Sequence, residues 1–371
     1  MSCAVNGEKP DAERCAAMDL PGVLALARRH SLTVAAATAL EQAIPLPFDF
    51  REEKFKAVRR MSLYDVERAK ILRELEQHKI WYLPLKGIVM ANDYPKKTMR
   101  EMSDNDILCD PDRQDDVRSV MESLGFTCQL RDVNHHDVYR KGKLLNFEMH
   151  HSLLEKDDRS GSYAYYTDIK DRLLPSPGCQ YGFCMSAEDF YIFMIVHAYK
   201  HYITCGTGLR SLLDVYVYLR KHGETLDRTY IDGELGKLRL QSFEQQISEL
   251  SGKVFACQPL TEDEQRLLAF LASSNVHGTQ ENLMAQRLGN DDSAEAKRKY
   301  ALKRLFPTGR ELEKHHPVAA RHKVLYPFLI VYRPVKGVLK YRKLMFGEIK
   351  RLKYFRKKDM PEQPPDRKES L

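Results

Sequence analysis

The sequence lacks any uninterrupted apolar run long enough to span a bilayer. The best candidate, Val34-Ala35-Ala36-Ala37-Thr38-Ala39-Leu40, is short and lies just after Arg28-Arg29-His30. Integral membrane association is therefore excluded. Glu8, Asp11 and Glu13 precede any apolar stretch, so the start lacks the basic residues and apolar centre of a secretory signal, and a cytoplasmic location is expected. Also missing is a cysteine framework. The 8 cysteines form no C-x-x-C pair, which argues for reduced, mostly buried thiols in place of disulfides or a zinc ribbon. Cys109 reads as core, because the nearby carboxylates of Asp104 and Asp106 suppress a thiolate. No repeat of fixed period is present. The charge excess is only +7 over 371 residues, a length that buries a sizeable core divided into two or three domains.

What is present is chemical punctuation. Lys79-Ile80-Trp81-Tyr82-Leu83-Pro84 reads as a β-run leading through Leu85-Lys86 to Gly87, where the backbone can approach a phosphate with no Cβ in the way. Met102-Ser103-Asp104-Asn105-Asp106-Ile107-Leu108 follows. If Asp104 to Leu108 is a strand, its period of two puts Asp104 and Asp106 on one side and packs Ile107 inward. Two converging carboxylates need a cation, and hard oxygen ligands suit Mg²⁺ or Mn²⁺. Downstream, Lys143 to His150 alternates and places Asn146, Glu148 and His150 on one face, so a third carboxylate becomes available.

Lys86-Gly87, Arg100, Asp104-Asn105-Asp106 and Glu148-Met149-His150 together resemble the uncharacterised bacterial nucleotidyltransferase family of the polymerase-β-like nucleotidyltransferase superfamily. The likeness extends to His197-Ala198-Tyr199-Lys200-His201, to Gly208 through Asp214, and to Leu305-Phe306-Pro307. Two positions depart from the wider pattern. Gly87 is followed by Ile88 where a Gly-Ser pair is expected, and the third acid is Glu148 where Asp is more usual. The resemblance implies an α+β fold, with a polymerase-β-like core of a short mixed sheet and helices flanked by helical N-terminal and C-terminal regions. Expected boundaries are 1–78 for an N-terminal helical region, 79–185 for the catalytic core, 186–335 for a helical domain closing over the site, and 336–371 for a basic C-terminal segment with a disordered tail.

Around the core, residues from about Pro21 to Ile44 read as two short helices. Arg51 to Gln77 reads as a charged amphipathic helix with Phe55, Val58, Ile71, Leu72 and Leu75 in its buried stripe. Asp110 caps a helix from Pro111 to Leu124 that ends near Gly125. Strands follow near Thr127 to Leu130 and Asp137 to Arg140, with a turn at Lys141-Gly142. Ser186 caps a helix carrying His197 and His201, Gly206 and Gly208 break it, and a second helix runs from about Leu209 to Lys221. His197 and His201 lack the glutamate and third ligand of a zinc helix. Lys200, His201 or Arg210 are candidates to meet phosphates, against a solvated basic face with His197 in the core. Asp214 is expected to pair with Arg210 one turn away.

Arg100, four residues before Asp104, either binds triphosphate or braces the acid pair, and bracing is favoured. His150 is expected to orient Glu148 through a hydrogen bond. The basic C-terminal run from Lys336 to Lys358, interleaved with Tyr332, Tyr341, Phe346, Tyr354 and Phe355, makes an RNA-binding or anionic-membrane surface conceivable. The reaction expected from the resemblance is transfer of an NMP group from an NTP, ATP first, to an acceptor hydroxyl with release of pyrophosphate. A small molecule or sugar is favoured as acceptor over protein or RNA. Asp104, Asp106 and Glu148 hold two divalent ions, and Lys86, Gly87, Arg100, Lys200 and Arg210 hold the nucleotide. The alternative is a weak or inactive relative acting as an antitoxin-like partner or nucleotide sensor.

Overall fold

A computed structural model describes residues 1–133, 135–276, 278–288 and 293–305. The readings made for Leu305-Phe306-Pro307 beyond Leu305, and for the basic segment after 336, lie outside the described residues. Helices α1 (Ser2–Asn6), α2 (Ala12–Ala16), α3 (Leu20–His30), α4 (Thr33–Leu40) and α5 (Phe48–Gln77) precede the sheet. The sheet strands are β1 (Tyr82–Pro84), β2 (Asn105–Cys109), β3 (Thr127–Val133), β4 (His136–Lys141) and β5 (Leu145–His150), with α6 (Gly87–Met90) and α7 (Gln114–Ser123) between them. A two-stranded ribbon, β6 (Leu174–Pro175) and β7 (Phe183–Cys184), leads to α8 (Ala187–Tyr202), α9 (Leu209–His222), α10 (Arg228–Leu238), α11 (Gln241–Phe255), α12 (Glu262–Ser273), α13 (Gln280–Leu288) and α14 (Ala294–Leu305). The fold is α+β. No helix among the described residues is long and apolar enough to cross a membrane.

Strand order in the main sheet is β1-β2-β5-β4-β3. Only β2 and β5 run parallel; β1–β2, β5–β4 and β4–β3 are antiparallel. A parallel pair needs a crossover, and here α7 and the β3–β4 strands supply it. The strands' period of two divides the sheet's faces. Ile107, Cys109, Leu145, Phe147 and Met149 pack with Met61, Tyr64, Ile71 and Leu75 of α5 and with Val117, Val120 and Met121 of α7. Leu108, one residue out of phase, joins the core of α4, α8, α9 and α11 on the other face. Phe147 anchors the first face through edge contacts with Tyr64 at 5.5 Å and Phe126 at 5.3 Å, each worth about 0.5–1.5 kcal/mol beyond burial.

Local differences from expectation have physical causes. Phe55 is 68% exposed and not in the stripe, which runs through Phe50, Ala57, Met61, Tyr64, Ile71 and Leu75. Five residues along a helix rotate about 140° away from Phe50, so Phe55 leaves the core face. The Asp110 cap is real, but Pro111–Arg113 form a 3₁₀ turn before α7 begins. The run from Lys79 contributes only Tyr82–Pro84 to the sheet, because Lys79 turns with φ 56°. The cysteines are free thiols, and burial followed by Asp110 raises the thiol pKa of Cys109.

Candidate active site

The acids are brought together by register. Asp106 of β2 lies opposite Glu148 of β5, and Leu108 lies opposite His150. Because Asp106 shares the face of Leu108, and Glu148 that of His150, all three polar side chains point away from α5 and toward α8 and α9. Asp104 precedes the first residue of β2 and so is not in the strand, but it borders the same cavity as Asp106 and Glu148. One hydroxyl ties the two acid-bearing segments. Tyr64 Oη donates to the Ser103 carbonyl at 2.9 Å and accepts from the Asn146 amide at 3.2 Å. From α5, Arg68 also donates to Asn105 Oδ1 at 2.9 Å.

Electrostatics separate the carboxyls. Burial opposes ionisation of Asp106, yet Lys86 Nζ at 3.1 Å from Oδ2 and His150 Nε2 at 3.1 Å from Oδ1 hold it well below the usual carboxylate range. Burial, and then the Asp106 and Asp104 carboxylates, push Glu148 up to about 8. Two acids on adjacent strands thus share one proton near neutrality. Burial lowers His150 to about 4 against the pull of Asp106, so the neutral ring donates its Nε2–H to Asp106. His136, opposite His150 in the β4–β5 register, is lowered to about 3 by burial and by its histidine neighbours His150 and His135.

The cavity has a volume of about 310 Å³, at the small end of ligand pockets. Lys86, Gly87, Arg100, Asp104, Asp106, Glu148, His150, Lys200, His201 and Arg210 all line it, as do His135, His136 and His197. Acids on the sheet therefore face cations on α8 and α9. His201 Nε2 lies 3.1 Å from His197 Nε2, a hydrogen bond within one turn of α8. Arg210 is half-buried, donates to the Glu101 carbonyl at 3.1 Å, and is lowered to about 10 by burial and by Arg100.

Three expectations are corrected. His150 does not hold Glu148, whose Oε2 is 3.8 Å from Nε2; that nitrogen donates to Asp106 at 3.1 Å. Arg100 does not brace the acid pair; its Nε donates to Asp214 at 2.7 and 3.0 Å, and Nη1 donates to the Glu101 carbonyl at 2.9 Å. Asp214 accordingly does not pair with Arg210, because Arg100 and the Tyr94 hydroxyl at 2.7 Å occupy it. Gly87 opens α6, and a Cβ there would meet the Met102 side chain, with Cγ at 2.9 Å, so packing favours glycine. His135 and His136 were missed from sequence. The signal was the hairpin turn at Lys141-Gly142, since pairing Lys141 with Leu145 carries His136 to His150.

One ligand atom from each of Asp106, Glu148 and His150 lies within 4.8 Å of the others. Asp106 and Glu148 form an oxygen donor pair that suits a divalent cation, with the Nε2–H of His150 held on Asp106, and Glu148 would lose its proton on binding one.

A family model described as uncharacterised nucleotidyltransferase matches residues 16–256, and the chain belongs to that family. Membership carries a general nucleotidyltransferase role and agrees with the α+β fold. No curated protein and no solved structure matches the chain.

Proposed function

We propose that this family member transfers an NMP group from an NTP, ATP first, to the hydroxyl of a small molecule or sugar and releases pyrophosphate. The observation that carries the reading is the pairing of Asp106 with Glu148 on adjacent parallel strands, facing a cavity whose other wall presents Lys200 and Arg210. Asp104, Asp106 and Glu148 would hold two Mg²⁺ or Mn²⁺ ions, with His150 fixing the orientation of Asp106. Bound there, the ions supply Lewis-acid activation of the acceptor and neutralise charge on the transferred phosphate. Lys86 is a point charge for the β- and γ-phosphates, and Arg210 offers a planar fork of donors. Arg100 contributes by holding Asp214 and α9 in place, a positioning role. The acceptor hydroxyl oxygen attacks the α-phosphorus and gives up its proton to solvent, the bond to the β-phosphate oxygen breaks, and the electron pair leaves with pyrophosphate. Burial of the pocket strengthens each of these charge contacts.

The test is thermal unfolding with each of the four NTPs, with and without Mg²⁺ or Mn²⁺, on wild type and on the Asp104→Asn/Asp106→Asn variant. A nucleotide at about 100 times its Kd adds on the order of 2.7 kcal/mol to stability. Metal-dependent stabilisation by at least one NTP in wild type, absent in the variant, is expected. Equal stabilisation of both proteins would overturn the assignment of the acids. No stabilisation by any NTP would favour the regulatory alternative.

A further inference from the structure

The carboxylates account for only one side of the cavity floor. On the other, three imidazoles meet. His135 and His136 begin the β4 side of the hairpin, and His150 ends β5, opposite His136 in register. The backbone holds the group rigidly, with the His151 amide donating to the His135 carbonyl at 3.0 Å. Ring centroids are separated by 4.8, 5.0 and 4.9 Å, a nearly equilateral triangle. One ring nitrogen from each lies within 4.8 Å of the other two.

A neutral imidazole carries one lone pair. The Nδ1 atoms of His135, His136 and His150 are all buried without a hydrogen bond, the nearest acid to His135 being Glu155 at 3.6 Å from Nδ1. His150 is 2% exposed, and its Nε2–H is committed to Asp106, which leaves Nδ1 as the acceptor. A carboxylate on the far nitrogen of a ring is the usual support of a metal-bound histidine. Ring stacking alone explains the spacing but not three buried Nδ1 atoms left without hydrogen bonds.

We propose that His135, His136 and His150 form a site for a transition-metal ion of the zinc class, adjoining the carboxylate cluster through His150 and flanked by Glu148. Imidazole nitrogens suit Zn²⁺, Co²⁺ and Ni²⁺, whereas Mg²⁺ requires oxygen donors. Glu148 Oε2 lies 3.5 Å from His136 Nε2 and 3.8 Å from His150 Nε2, an oxygen donor beside the histidines. The site needs no nucleotide, so it stands or falls apart from the transfer reaction.

Cobalt titration of the chelator-stripped full chain tests it, because four- or five-coordinate Co²⁺ absorbs visibly. One equivalent per chain should bind, yield to Zn²⁺, and resist about a thousandfold excess of Mg²⁺. The His135→Gln/His136→Gln variant should bind at least about 100-fold more weakly. Asp104→Asn should keep the cobalt band whether or not it binds NTP, which separates this test from that of the transfer reaction. Paramagnetically shifted imidazole resonances in wild type count the ligands without any variant, and three are expected. A colourless titration, displacement by equal Mg²⁺, fewer than three shifted rings, or an undiminished band in a folded double variant would overturn the site.

Discussion

Asp106 and Asp214 are buried carboxylates lining the same cavity, and they are handled in opposite ways. Asp214 receives Arg100 Nε at 2.7 and 3.0 Å and the Tyr94 hydroxyl at 2.7 Å, all from buried side chains. Asp106 has a single lysine at 3.1 Å and a neutral histidine, with two further carboxyls beside it. Lys86 is also the residue whose backbone is forced to φ 44°. The first arrangement is complete and serves as a brace between the sheet-side loop and α9. The second is short of positive charge, which is the condition a metal or a substrate relieves. In this chain the fold rests on the satisfied pair, and chemistry is expected at the unsatisfied one.

The comparison is broken most directly by removing one acid from each side. Asp214→Ala leaves Arg100 buried and unpaired, and should destabilise by about 3–5 kcal/mol. Asp106→Asn should change stability by less than about 1 kcal/mol, since Lys86 can turn to solvent and Glu148 is relieved of a like charge. Urea midpoints at constant slope decide the matter. Equal losses would mean that the Asp106 cluster is structural too.

A smaller effect is the pH dependence of the metal-free protein. Glu148 is raised from the ordinary carboxyl range to about 8, so between these values the folded state holds a proton that the unfolded state has released. Its contribution is therefore greatest below the unfolded pKa and is lost as pH rises toward 8, a fall on the order of a few kcal/mol. Glu148→Gln should flatten that slope. Denaturant titrations at pH 5 and pH 8 in the presence of chelator compare the two, and an unchanged slope would show that Glu148 is not the frustrated partner.

How much of this was legible in the sequence depends on range. The period of two placed Asp106 and Glu148 correctly, because strand faces follow from local geometry, and the capping residues Asp110 and Ser186 mark helix starts through contacts two or three residues away. The partner of Arg100 lies 114 residues on, and nothing local encodes it. The Asp214–Arg210 pairing was plausible at helical spacing and lost to a tertiary competitor. His135 and His136 occupy a middle case. Their neighbourhood with His150 was implied by the turn, but only once the hairpin register was followed to its open end.

Gly87→Ala sharpens the comparison at the lowest cost. The added methyl would sit 2.9 Å from Met102 Cγ, 3.0 Å from its Sδ and 3.2 Å from Arg100 Nη1. Met102 is flexible and can give, whereas Arg100 is pinned by Asp214, so the strain falls on the brace and not on the acids. A loss of about 1 kcal/mol in stability is expected, at the bottom of the range for overpacking, with nucleotide affinity unchanged. Thermal unfolding with and without the NTP and metal that stabilise wild type separates the two effects. Lost nucleotide stabilisation at unaltered intrinsic stability would instead make Gly87 a point of close approach to phosphate, and would move the turn after β1 from the brace into the binding site.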